Sequence, residues 1–193
     1  MGTTMTPEEL WKEAVRGNAP AWESLYRLFG SKLYHFFLKN TGDIEISMDK
    51  TQEVFERLFR HREAFSTGSL KTWIYRIAKN LLIDWWRRKG HREVLSEDPP
   101  EVVDPGVRVE DSVVDRLDKE ELLRLVDAAL DEMKEDDRLL LGLVYLGGLS
   151  FPELAEVMEI PIGTAKTRTR QARLRLDQLL NGNSLAREEK AAS

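Results

Sequence analysis

Two stretches of this sequence concentrate the side chains that engage phosphate. Within residues 69–92, seven bases (Lys71, Arg76, Lys79, Arg87, Arg88, Lys89 and Arg92) stand against the single acid Asp84, a local charge of +6. Within residues 163–176, Lys166, Arg168, Arg170, Arg173 and Arg175 stand with no acid, a local charge of +5. Cations at this density replace the counterions of a polyanion, and arginine or lysine forks onto guanine edges or phosphate while a glutamine such as Gln171 pairs with adenine. The first stretch interleaves its cations, and the neighbouring Asn80, with Trp73, Tyr75, Trp85 and Trp86. That is the composition a single strand needs, charge for the backbone and flat faces for unstacked bases, although most of these rings belong to a core. Each stretch taken alone also reads as a solvated helix face.

A third constellation is acidic. Asp49, Gln52, Glu53 and Glu56 follow one another at steps of three, one and three, which on a helix gives an amide-bearing acidic surface suited to a basic protein partner, or simply to water. Catalytic chemistry finds no such support. His35, His61 and His91 are isolated, no spacing suits metal ligands, and no glycine loop cradles a phosphate. With no cysteine in the chain, thiolate zinc sites, iron–sulfur clusters, disulfides and thiol nucleophiles are all excluded. The expectation is a protein that is not an enzyme and takes no cofactor or metal.

Helical periodicity positions these residues. Thr6-Pro7-Glu8-Glu9 is a capped helix start, and the helix runs to about residue 16. Apolar residues at three and four spacings then predict helices over residues 20–40, 47–62 and 69–89, which together make one bundle with residues 63–68 as a loop. Pro99-Pro100 and Asp104-Pro105-Gly106 interrupt the pattern inside an acidic stretch of charge −8 over residues 93–121. Beyond it lie predicted helices over 118–133 and 136–145, a Gly147-Gly148 break and a second capping box, Ser150-Phe151-Pro152-Glu153. A short helix over 150–158, a turn at Ile160-Pro161-Ile162-Gly163 and a basic helix to about residue 180 follow the order of a helix-turn-helix. Ala165, Ala172, Leu176 and Leu179 are its inward positions, and Thr164, Lys166, Thr167, Arg168, Arg170, Gln171 and Arg173 are the candidates for the groove. The fold class is therefore all-α: two small helical domains, residues 1–92 and 118–181, joined by a flexible acidic linker at 93–117, with a polar, disordered tail over 182–193.

The 193 residues carry a net charge of −5 and a mean hydropathy of −0.44, the balance of a soluble globular chain. The longest apolar run, Leu139 to Leu146, is far short of the roughly 18 residues of a membrane span, and no export segment is encoded, so a cytoplasmic location fits. Because the average charge is negative while two patches are positive, the chain attracts polyanions at chosen faces and repels them elsewhere. The isolated chain is accordingly expected to bind duplex DNA poorly.

Asp49-Lys50-Thr51-Gln52-Glu53-Val54-Phe55, Trp73-Ile74-Tyr75-Arg76-Ile77-Ala78-Lys79-Asn80, Ile83-Asp84 and Arg87-Arg88 resemble region 2 of the extracytoplasmic-function (ECF) sigma factors of bacterial RNA polymerase. Residues 149–158 and 160–168 resemble the helix-turn-helix of region 4 of the same family. The resemblance implies a promoter-recognition subunit. Asp49, Gln52, Glu53 and Glu56 would dock on the β′ clamp helices of core RNA polymerase. Lys71, Arg76, Lys79, Asn80, Arg87 and Arg88, with the loop at 63–68, would open and read the minus-10 element. Thr164, Lys166, Thr167, Arg168, Arg170, Gln171 and Arg173 would read the minus-35 element as duplex. It further implies promoter DNA and an anti-sigma factor as partners, and a linker that threads the polymerase cleft. Thr169 stands where the family has a larger aliphatic residue, and looser packing is expected there. The competing readings are a helix-turn-helix regulator that never touches polymerase, and an adaptor that binds protein only.

Overall fold

The computed structural model describes residues 5–65, 67–90 and 119–191, with side chains described to residue 182 and from residue 121 in the last segment. Among these residues every element is helical: α1 (Pro7–Val15), α2 (Ala19–Thr41), α3 (Ile44–Arg60), α4 (Leu70–Arg88), α5 (Lys119–Glu132), α6 (Glu135–Leu141), which runs on as a π-helical turn (Gly142–Leu146), α7 (Phe151–Met158) and α8 (Ile162–Ala191). The expected acidic linker lies outside the described residues.

The helix starts follow local chemistry. Thr6 and Glu9 exchange the two hydrogen bonds of a capping box at 2.7 and 3.2 Å, and Asn18, Asp43 and Ser69 each accept from the backbone amide three residues on. Asp43 moves the start of α3 to Ile44, one turn earlier than the apolar periodicity places it. The opposite correction applies at the far end, where residues 182–191 continue α8 instead of forming a disordered tail. Ala, Arg, Glu and Lys dominate that stretch and are strong helix formers, which outweighs the break suggested by Asn181-Gly182-Asn183.

α1 to α4 enclose an aromatic core. Trp11 meets Trp22 and Trp73 edge-on at centroid distances of 5.3 and 5.2 Å, and Phe65 stacks on Trp73 at 5.4 Å. Phe65 thereby anchors the loop between α3 and α4 to the bundle. Glu8 accepts from the Leu70 amide at 3.0 Å, so α1 also caps the start of α4. In the C-terminal half, Ala165, Thr169 and Ala172 of α8 are buried against α6 and α7. Thr169 satisfies its hydroxyl by donating to the Ala165 carbonyl at 2.8 Å, so the smaller polar residue is accommodated without an orphaned donor. Asp137, almost fully buried, pairs with Arg175 and ties α6 to the far part of α8.

The two halves share a core rather than standing apart. Phe36, Tyr75, Leu139, Leu143 and Leu154, each fully buried, belong to one apolar cluster that runs from the N-terminal bundle into α6, the π-turn and α7. α4 lies along α7, and α2 along the π-turn.

Candidate functional site

α3 presents the acidic constellation as the spacing predicts, but its members differ in how free they are. Asp49, Gln52 and Glu56 are exposed, whereas Glu53 is only partly so. Glu53 binds Lys50 at 2.6 Å and Arg57 at 2.7 Å, and Lys50, nearly buried, also meets Asp49 at 3.1 Å. Gln52 donates to Glu56 at 2.8 Å. These two form a ridge between a concavity of about 400 Å³ lined by Asp49, Glu53, Arg57 and His61, and one of about 600 Å³ lined by Tyr26, Tyr34, Met48 and Phe55. The second concavity escaped the sequence reading. Tyr26 reads as part of the apolar stripe of α2 and Met48 carries no assigned role, yet Met48 and Tyr26 are 62% and 56% exposed and give the acidic ridge an apolar flank.

Burial disfavours the charged forms of Glu53 and Lys50, but their mutual hydrogen bond and those to Arg57 and Asp49 outweigh it: Glu53 titrates below its usual 4.5 and Lys50 above its usual 10.5. A lowered carboxyl pKa adds stability that is complete above pH 4.5 and is lost as pH falls through the folded value. Thermal melting between about pH 3 and pH 6 is therefore expected to show a shallower acid limb for Glu53→Gln than for the wild-type chain. Parallel acid limbs would show that Glu53 contributes nothing to the pH dependence.

α4 distributes its cations unevenly. Arg87, Arg88 and Asn80 are exposed; Lys71 and Arg76 are partly covered; Lys79, expected on an outer face, is only 5% exposed. The cover is α7. Lys71 Nζ meets Glu153 Oε2 at 2.9 Å and donates to the Gly148 carbonyl at 2.8 Å; Arg76 meets Glu156 at 2.9 Å, and Lys79 meets Glu159 at 3.2 Å. Glu153 also accepts from the Ser150 amide at 2.8 Å, the return limb of the second capping box. Burial opposes its ionisation, yet the Ser150 amide, Lys71 and the Ser150 hydroxyl together hold its pKa below 4.5. Of the aromatics, Tyr75 and Trp86 are core residues and Trp73 is taken up by Phe65 and Trp11; Trp85 stays partly exposed with the Lys89 ammonium 5.0 Å over its ring. Burial pushes the Tyr75 phenol well above its ordinary range.

α8 holds the third surface. With Ala165, Thr169 and Ala172 inward, Lys166, Thr167 and Arg173 project as exposed side chains, and Thr164, Arg168, Arg170 and Gln171 flank them half-buried. Thr167 donates to the Gly163 carbonyl at 3.0 Å, which fixes its methyl and hydroxyl at the first turn. α7 begins at its capping box and ends at Glu159 with φ 58°, the reversal that turns the chain into α8. Among the described residues no three His, Asp or Glu side chains gather to hold a metal ion, and no helix is long and apolar enough to cross a membrane.

Fold and surfaces together define an all-helical nucleic-acid-binding protein, with a helix-turn-helix behind a four-helix bundle that carries its own cationic and acidic faces. Residues 25–92 match the family Sigma-70 region 2, and residues 123–176 match Sigma-70, region 4. The chain is 31% identical over 182 residues to the ECF RNA polymerase sigma-E factor of Haemophilus influenzae, covering 90% of this chain and 94% of that one. It is 30% identical over 171 residues to the ECF RNA polymerase sigma factor SigE of Mycolicibacterium smegmatis, covering 86% of this chain and spanning 63% of that relative. Its fold is like that of the sigma factor RpoE of Bartonella quintana, solved with the anti-sigma factor NepR: TM-score 0.61, 23% identity, 82% of this chain and 95% of that one. The chain belongs to the ECF RNA polymerase sigma factors.

Proposed function

We propose that this chain docks on core RNA polymerase through the α3 ridge and directs promoter-specific initiation with two DNA-binding surfaces. The N-terminal part, residues 1–92, supplies Asp49, Gln52, Glu53 and Glu56 to the β′ clamp helices, and Lys71, Arg76, Lys79, Asn80, Arg87 and Arg88 to the minus-10 element. The C-terminal part, residues 118–181, supplies Thr164, Lys166, Thr167, Arg168, Arg170, Gln171 and Arg173 to the minus-35 element. Residues 93–117 link the two, and residues 182–191 extend α8. The protein acts by binding, with the polymerase supplying the chemistry.

The observation that carries this reading is the separation of two cationic surfaces of different kinds. One lies on a helix backed by a tight turn, the geometry that enters a major groove, and the other on a bundle helix beside an exposed aromatic edge. A stand-alone regulator needs only the first. The RpoE relative was solved with an anti-sigma factor, and we infer an inhibitor of that class for this chain.

The test is transcription by bacterial core polymerase on a library of genomic fragments, with and without the chain. New start sites that share two spaced sequence elements and require the chain are the expected result. Stable folding with no core capture and no new start sites would leave the stand-alone regulator.

A further inference from the structure

Lys50 occupies a position where a helix facing a core ordinarily places an apolar side chain. The inward positions of α3 are Ser47, Lys50, Thr51, Val54 and Leu58, and Lys50 is only 7% exposed. An ammonium at such a depth is costly unless it is paired. Its partners are two of the acids assigned to polymerase docking: Glu53 Oε2 lies 2.6 Å from its Nζ, and Asp49 Oδ2 lies 3.1 Å away. The other oxygen of Glu53 is held by Arg57 at 2.7 Å. We propose that Lys50 and Arg57 act as internal competitors for the docking acids, holding both oxygens of Glu53 and drawing Asp49 aside, so that core polymerase is bound less tightly than these acids would otherwise allow. The inference rests on the docking reading of α3 and deepens it by naming the residues that set its strength.

The pairing is specific to these groups. Ser47 and Thr51, the polar residues beside Lys50 on the inward face, satisfy their hydroxyls on carbonyls one turn earlier, donating to Asp43 at 2.5 Å and to Ser47 at 2.7 Å. Lys50 instead reaches outward to carboxylates at the surface. Successive residues on a helix do not face one another, so the contact with Asp49 requires that its side chain lean back along the base of the ridge. Glu53 keeps 27% of its side chain exposed, which a partner can still touch, but its charge is already shared between two cations. Burial disfavours charge on Lys50, yet the two carboxylates outweigh it, so the cation persists at neutral pH.

The consequence is a docking face less acidic than the spacing of its acids suggests. Around the hollow of about 400 Å³, Asp49, Glu53 and Glu56 stand beside Arg57 and Arg60, with Lys50 beneath. Among the described residues there, three carboxylates are thus matched by three cations, and the long-range attraction for a basic partner is largely cancelled. What remains at full strength acts at short range: the exposed Gln52 amide and the apolar flank of Met48 and Tyr26. Docking strength is therefore tuned from inside the helix, without altering the side chains that touch the partner.

The experiment titrates the full chain, labelled with fluorescein at its N-terminus, with bacterial core RNA polymerase and reads anisotropy at several salt concentrations. Lys50→Met keeps a buried stem and removes the ammonium. It is expected to tighten capture by about fivefold and to steepen the dependence of capture on salt, as a unit charge returned to a partly screened surface would. On a background of Asp49→Asn with Glu53→Gln the same substitution is expected to gain nothing, because the acids through which Lys50 acts are gone. Capture by Lys50→Met that equals or falls below the wild type, or an equal gain on that background, overturns the proposal. Should Lys50→Met lose helix content by circular dichroism, Arg57→Gln decides, since the Arg57 side chain is 38% exposed and its loss leaves the buried pair in place. That variant is expected to tighten capture by about threefold, a gain that Glu53→Gln abolishes. No gain, or a gain that survives Glu53→Gln, overturns the proposal. Absence of capture by the wild type and every variant overturns the docking reading and this inference with it, whereas capture that does not vary among them overturns the role of Lys50 and Arg57 alone.

Discussion

The chain carrying Gln52→Ala with Glu53→Ala is expected to lose core polymerase capture by about 10- to 100-fold and to support no initiation at concentrations where the wild type saturates the polymerase. Interface residues at the centre of a docking surface typically contribute more than about 1 kcal/mol each, and two such losses multiply into that range. Gln52 stands between the two concavities of the α3 face, with an acidic hollow on one side and the exposed apolar flank of Met48 and Tyr26 on the other. The two substitutions act through different physics. Gln52 is exposed and bonds only Glu56 in the free chain, so Gln52→Ala leaves folding stability within about 0.5 kcal/mol while removing part of the ridge.

Glu53 is a different case, because it neutralises Lys50, whose side chain is only 9% exposed, and also holds Arg57. Removing it leaves Lys50 with Asp49 alone and costs about 1–3 kcal/mol of stability. Asp49 would then be drawn towards Lys50 and away from a partner, so the docking loss from Glu53→Ala includes a contribution passed on through its neighbour. Measuring capture beside thermal melting for each single variant separates the two effects. Full capture by the double variant, with folding intact, would remove α3 as the docking surface.

The division between what the residues announced and what they concealed follows sequence distance. Helix starts at Thr6, Ser69 and Ser150 were legible because a cap and its partner lie within three residues, and the inward positions Ala165 and Ala172 because their seven-residue spacing is two turns of one helix. The pairing of α4 with α7 was not legible. Lys71, Arg76 and Lys79 find their acids about 80 residues away, a separation over which helical periodicity carries no information. Lys79 was assigned to an outer face because its neighbours on α4 leave it off the apolar stripe; a second helix covers it. The complementary steps of Glu153, Glu156 and Glu159 were the available signal, but on one helix they look the same as a solvated acidic face. The tail misled in the other direction, since Asn181-Gly182-Asn183 carries stop signals that the helix formers on either side override.

Lys166→Ala with Arg173→Ala is expected to abolish most minus-35-dependent transcription while leaving core capture unchanged. Both side chains are exposed and lie seven residues apart, two turns or about 10 Å along α8, on one face of the helix beside the buried face of Ala165, Thr169 and Ala172. That places them to span adjacent phosphates and base edges of one major groove, and their removal does not disturb the core. If both contact phosphate, holoenzyme affinity for promoter duplex falls and the slope of its logarithm against the logarithm of salt concentration becomes shallower by about 2. If one of them forks onto a guanine, the slope changes by about 1 and discrimination at that base pair falls by about 1–3 kcal/mol. The salt series therefore assigns a role to each residue as well as testing the pair. Unaltered slope and unaltered transcription would place the minus-35 surface elsewhere on the chain.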